Sequence, residues 1–127
     1  MDISTRTICQ IRAGKCLMEG DMVHPDLRKG YLALVKTDDD LLRVQWSVRD
    51  SDKPEESYYV FGDAYLDRIN ECSDGNVYAL KFTENDQEIL YWMQETSIGT
   101  IKAFVDMVNN TIGYTLEEPD PAMMELE

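Results

Sequence analysis

Between Thr5 and Met93 apolar and polar residues mostly alternate with a period of two, the spacing of half-buried β-strands, in short runs cut by turn residues. A first strand is predicted at about 6–12, with a short extension at 16–18. "EGDMVHPDLRKG" (19–30) reads as a loop because Gly20, Pro25 and Gly30 interrupt it. "YLALVK" (31–36) and "LLRVQW" (41–46) give the second and third strands, with Leu42, Val44 and Trp46 on one face of the third. "SYYVF" (57–61), about 64–69, "NVYALKF" (76–82) and "EILYWM" (88–93) complete a set of seven. The period then changes. Ile101, Phe104, Val105 and Val108 follow the i, i+3, i+4, i+7 rule of an amphipathic helix. Thr100 is the predicted N-cap, Asn109 and Asn110 the predicted end, and Gly113 stops anything longer.

Seven antiparallel strands followed by one helix predict a mainly β fold, a bent sandwich or partial barrel whose open end the helix covers. "ILYWMQE" (89–95) does not fit a strand with one wet face. Ile89, Tyr91 and Met93 alternate with Leu90 and Trp92, so both faces carry apolar bulk. One face belongs to the sandwich. The other lies under the helix or a loop, or awaits a partner.

At 127 residues the chain is long enough for one domain with a real core. Residues 1–113 are predicted to form it. The segment 114–127 is predicted to be a disordered tail, because "TLEEPDPAMMELE" holds five acids, no base and two prolines. The net charge of −13 argues against nucleic acid and anionic membranes and favours a partner with a basic surface. "MDISTRTICQ" is too polar for a secretory leader. The cysteines, Cys9, Cys16 and Cys72, are odd in number and form no CxxC pair, which predicts no disulfide framework and a reducing compartment.

No catalytic constellation is legible. His24 stands alone before Pro25 in the predicted 19–30 loop, and no Gly-rich phosphate loop, HExxH or GxSxG occurs. "TDDDL" and "TENDQ" lack the spacing of a calcium loop. A protein without enzymatic activity, metal or cofactor is therefore expected. The turns are more informative. In an up-and-down meander, alternate turns fall at the same end. "TDDDLL" (37–42), "VFGDA" (60–64) and "KFTENDQ" (81–87) should cluster, each setting a large apolar residue (Leu41, Phe61, Phe82) beside carboxylates. An apolar centre with an acidic rim suits a partner whose apolar patch is ringed by basic groups.

"IRAGKC" (11–16), "PDLRKG" (25–30), "TDDDLLRVQW" (37–46), "CSDGNVYALKF" (72–82) and "YWMQE" (91–95), in this order and spacing, resemble the pleckstrin-like receptor for ubiquitin, the Pru domain of the proteasomal ubiquitin receptor or adhesion-regulating molecule family. The resemblance covers about residues 6–110. It implies a pleckstrin-homology-like sandwich capped by a C-terminal helix, and a non-catalytic role in cytoplasm and nucleus. Such a domain captures ubiquitin and ubiquitin chains through loops while docked on the regulatory particle of the proteasome. The implied ubiquitin-binding positions are Leu41, Phe61, Asp63 and Phe82. Those implied for docking the extended, proline-containing C-terminal tail of the large non-ATPase scaffold subunit are Cys16, Val23, Pro25, Ile69, Cys72, Trp92 and Glu95. Trp92 would be an anchor beneath that tail. The chain departs from the pattern in two places: "FGDAY" has one acid where relatives often have two, and Gln87-Glu88 stand where relatives are often basic. Larger relatives carry a helical domain that recruits a deubiquitinase; this chain is expected to lack one and to be a monomer. Two other binding modules compete: a pleckstrin-like reader of phosphoinositides or phosphopeptides, which needs a basic loop cluster, and an EVH1-like reader of proline-rich peptides, which needs an exposed aromatic groove.

Overall fold

The computed structural model describes residues 5–20, 22–51, 53–69 and 76–113. The chain forms β1 (Thr5–Glu19), β2 (Met22–Pro25), β3 (Gly30–Thr37), β4 (Leu42–Val48), β5 (Glu56–Val60), β6 (Ala64–Arg68), β7 (Val77–Phe82), β8 (Gln87–Met93) and α1 (Ile98–Ile112). All pairings are antiparallel, in the order β5-β4-β3-β1-β8-β7-β6, with β2 paired to β1. This is the expected pleckstrin-homology-like sandwich with a helical cap. Among the described residues it has eight strands rather than seven.

The extra strand lies in the segment read as a loop. β1 runs fifteen residues without a break and serves three neighbours. Its first part pairs with β3, Ala13–Lys15 pair with β8, and Cys16–Glu19 pair with β2 across the Gly20 turn. Gly20 has φ +61, which favours glycine, so it makes a hairpin rather than a loop. Pro25 sits at the last residue of β2, a strand that pairs on one side only, where its missing N–H costs little. His24 thus stands on β2, its Nε2 3.4 Å from a Glu19 oxygen. A register shift between Thr7 and Cys9 interrupts the ladder of β1 with β3.

The main core joins Leu32, Leu34, Val44, Trp46, Leu66, Leu80, Tyr91 and Met93 to Ile101, Phe104, Val108 and Ile112 of α1. The N-cap is Ser97, not Thr100, because the Ser97 hydroxyl accepts the Thr100 N–H at 3.2 Å. The helix also passes the two asparagines, burying Ile112, and stops at Gly113 with φ +86.

Trp46 is fully buried and its Nε1–H donates to the Ala13 carbonyl at 2.8 Å. Gly30 allows this, since a Cβ there would stand 2.4 Å from the indole ring. The Lys15 and Arg28 cations each lie 5.4 Å from the same ring. Arg28 bonds both Asp26 and Glu55, and Lys15 bonds Glu55 and Glu56. These ion pairs clamp the 26–29 turn to the 49–55 loop. The Arg28 guanidinium holds both carboxyls down to about 2, that of Asp26 from the ordinary 3.8 and that of Glu55 from 4.5. Burial pulls the Lys15 ammonium down, but its bonds to Glu56 and Glu55 outweigh it and leave the group raised.

Candidate functional site

The loops predicted to cluster do so, because the ladders fix them. Leu42 pairs with Val60, which sets Leu41 beside Phe61; Ala64 pairs with Phe82, which brings the β7–β8 turn to the β5–β6 loop. Each turn is closed by its own polar residues. Thr37, buried, accepts the Leu41 N–H at 3.1 Å and donates its hydroxyl to Asp39 at 2.8 Å. Asp40 and Asp86 take positive φ (64° and 56°), a conformation aspartate tolerates in turns. Asp63 accepts the Phe61 N–H on its side chain at 3.3 Å, and its carbonyl accepts the Thr83 N–H at 2.9 Å. The β5–β6 loop and the β7–β8 turn are therefore tied to each other through Asp63 and Thr83.

The three apolar residues differ sharply in what they offer. Phe61 is 54% exposed and Leu41 is half-buried. Phe82 is 8% exposed, sits in the main core and tilts against Tyr58 with ring centroids 6.3 Å apart. Only its rim reaches outside, into a cleft of about 460 Å³ shared with Tyr65, Lys81, Thr83, Asp86, Gln87 and Glu88. Tyr59, missed in the sequence, is exposed two residues before Phe61, with the Arg43 guanidinium 5.6 Å from its ring. The alternation of "SYYVF" carries the signal: if Tyr58 and Val60 face the core, Tyr59 and Phe61 face water.

The opposite face of β7 and β8 answers the puzzle of Leu90 and Trp92. Val77, Ala79 and Leu90 form a second, smaller core, and Cys16, Val23, Ile69 and Trp92 pack around it half-buried. The β1–β2 hairpin supplies Cys16 and Val23, so the segment read as a loop is what covers this face. Four of the seven docking positions expected from the resemblance, Cys16, Val23, Ile69 and Trp92, thus share one cluster. Pro25 pairs with Cys16 at its margin. Glu95 lies beyond Trp92, held by two bonds from Arg12 at 2.9 and 2.8 Å, which keep its carboxyl below the usual range. Cys72 lies outside the described residues.

Leu17, Met22 and Leu27 stand exposed around the hairpin. The buried Nε1 of Trp92 has no hydrogen-bond partner among the described residues. On its other side Trp92 walls a cleft of about 390 Å³ with Arg12, Leu27, Lys29, Arg49 and Gln94. Among the described residues no three His, Cys, Asp or Glu side chains are grouped to hold a metal ion.

The family model described as proteasome complex subunit Rpn13, Pru domain, matches residues 8–106. The chain is similar to the proteasomal ubiquitin receptor ADRM1 of Danio rerio, 38% identical over 122 residues, which is 95% of this chain and 29% of that one. It is similar also to the ADRM1 homolog of Drosophila melanogaster, 39% identical over 93 residues covering 72% of this chain and 24% of the relative. The mouse receptor is 38% identical over 93 residues, 72% of this chain and 23% of that one. The chain therefore spans 23% to 29% of the length of these curated relatives. A match over residues 8–106, which takes in both faces, places the chain in the Pru-domain family of proteasome subunit Rpn13.

Proposed function

We propose that this chain is a non-catalytic ubiquitin-binding domain that docks on the proteasome. Relatives 38% and 39% identical to it carry the name proteasomal ubiquitin receptor. The observation that carries the reading is Phe61. It is an exposed aromatic ring at the end of the sandwich, with Leu41 beside it, Asp63 beneath and Asp38, Asp39 and Asp40 in the adjoining turn. Folding does not need that ring in water; an apolar anchor for a partner does. Ubiquitin presents an apolar patch rimmed with basic groups, which the carboxylates complement. Leu41, Phe61 and Asp63 would make the contact. Phe82 would act mostly from beneath, by shaping the loop end.

The second contact is with the extended tail of the proteasome scaffold subunit. It would run over the hairpin side, with Cys16, Val23, Pro25, Ile69, Trp92 and Glu95 as contact residues and exposed Leu17, Met22 and Leu27 alongside. Titration of the labelled protein with monoubiquitin tests the first contact. Saturable shifts at Leu41, Phe61 and Asp63 are expected, and none at any ubiquitin concentration would overturn it.

A further inference from the structure

Asn109 occupies a place in α1 where an apolar residue is expected. The helix buries Ile101, Phe104, Val108 and Ile112, and position 109 continues the flank of that stripe after Val105. A polar side chain half-buried on such a flank needs partners. Asn109 finds two, both on one residue of the sheet. Its Oδ1 accepts the Leu66 N–H at 2.8 Å and its Nδ2 donates to the Leu66 carbonyl at 3.1 Å.

The two bonds have a clear origin. In an antiparallel pair, residues alternate between those bonding across to the neighbour and those whose N–H and C=O both point away. Among the described residues β6 ends the sheet, paired only with β7. Both backbone groups of Leu66 turn to Asn109, so Leu66 is of the outward kind, and so is Ala64 two residues earlier. The Ala64 N–H is met by the Phe61 carbonyl at 3.1 Å. An amide side chain presents a donor and an acceptor spaced like those of a peptide group. Asn109 thus stands in for the next strand, and Phe61 closes the edge beside it. The same short stretch carries Asp63, whose carbonyl receives the Thr83 N–H. Leu66, bonded to α1, and Ala64, bonded to the Phe61 carbonyl, are two residues apart on one strand, so the backbone of β6 carries the Asn109 anchor to the loop bearing Phe61 and Asp63.

We infer that Asn109 is a positioning residue for the loop that carries Phe61. Its amide seats the beginning of β6 against α1, fixes where the β5–β6 loop leaves the sheet, and closes the β6 edge to any added strand. The ubiquitin arm of the test rests on the function proposed above; the clasp itself does not.

The experiment compares wild type with Asn109→Ala, which removes both bonds, and Asn109→Asp, which keeps an acceptor for the Leu66 N–H but loses the donor. Amide hydrogen exchange is read at Leu66, Ala64 and Thr83, with monoubiquitin affinity measured on the same samples. In Asn109→Ala, exchange at Leu66 and Ala64 accelerates while Leu34 and Tyr91 in the core stay protected. In Asn109→Asp the Leu66 amide keeps more of its protection than in Asn109→Ala. Ubiquitin affinity falls in both, by roughly threefold to tenfold in Asn109→Ala, the scale of one or two net hydrogen bonds. Wild-type exchange at Leu66 in Asn109→Ala, or unchanged affinity despite faster exchange, would overturn the inference. So would equal acceleration at every amide, including the core, in both variants. If wild type itself does not bind ubiquitin, the proposed function fails, and the exchange pattern alone still decides the clasp.

Discussion

The two ends of the β7–β8 hairpin show how one pair of strands serves two kinds of surface. At the turn, Phe82 points into the main core, and what faces outward is borne by loops: Leu41, Phe61 and the carboxylates around them. At the far end the strand face itself is the surface, with Trp92 half-buried among Cys16, Val23 and Ile69. The loop surface is acidic and offers the exposed ring of Phe61, with exposed Tyr59 two residues before it. The strand surface is apolar, holds an indole donor unmet among the described residues and meets a cleft lined by Arg12, Lys29 and Arg49. Trp92 is four residues from Glu88, and a strand advances about 3.3 Å per residue, so roughly 13 Å separates Trp92 from the turn end. The two surfaces differ in character and lie apart, as the two contacts proposed above require.

The largest expected effect separates Phe82 from Phe61. Phe82→Arg puts a guanidinium into the main core and removes a packed ring. It should cost about 3–5 kcal/mol of stability or prevent folding. Phe61→Arg replaces an exposed ring and should change stability by less than about 0.5 kcal/mol. Yet it should weaken ubiquitin binding by at least about 2 kcal/mol, the scale of a lost anchor facing a basic rim. Urea unfolding followed by a ubiquitin titration measures both. Equal stability losses would erase the distinction between the two rings.

A smaller effect probes the strand surface. A Cβ on Gly14 would stand 2.4 Å from Trp92 Nε1 and 2.8 Å from Gln94 Nε2. Gly14→Ala should displace the indole at a cost of about 1–3 kcal/mol, as overpacking does. It should weaken the scaffold peptide and leave ubiquitin affinity as it was. Loss of ubiquitin binding in a folded Gly14→Ala protein would show that the surfaces are coupled.

The smallest effect concerns the Arg28 clamp beside the strand surface. Asp26 and Glu55 are held at about 2, below their ordinary 3.8 and 4.5. Carboxyls depressed in the folded state add stability that is complete above their unfolded values and is lost as pH falls through the folded ones. The pairs are exposed, so their contribution is modest. Stability measured from pH 7 to 2 should hold level to about pH 5 and decline between about 4.5 and 2, with part of the decline absent in Arg28→Gln. An identical profile in that variant would show that the clamp plays no part.

Much of this was legible in the chain. The alternation of "LRVQW" placed Val44 and Trp46 inward, and the meander rule brought three turns to one end, because period and connectivity are local. The β1–β2 hairpin was not legible. Gly20 and Pro25 read as breakers, and the strand between them is stabilised by covering Leu90 and Trp92, a contact no local pattern reports. The fate of the two phenylalanines also depended on non-local geometry. Phe82 ends a paired strand facing the core, whereas Phe61 lies just past the end of β5. Asn109 was read as a helix end, since an asparagine after an apolar stripe resembles a terminator. Its true partner lies 43 residues away on β6.

The most direct test of two separate surfaces is a single titration of the isotope-labelled domain with monoubiquitin, following two kinds of signal at once. The backbone amides of Leu41, Phe61, Asp63 and Thr83 report the loop end. The indole N–H of Trp92 reports the strand face, with the Trp46 indole, bonded to the Ala13 carbonyl, as an internal reference. The loop amides should shift saturably while both indole signals stay in place. Movement of the Trp92 indole in step with Phe61 would contradict the account.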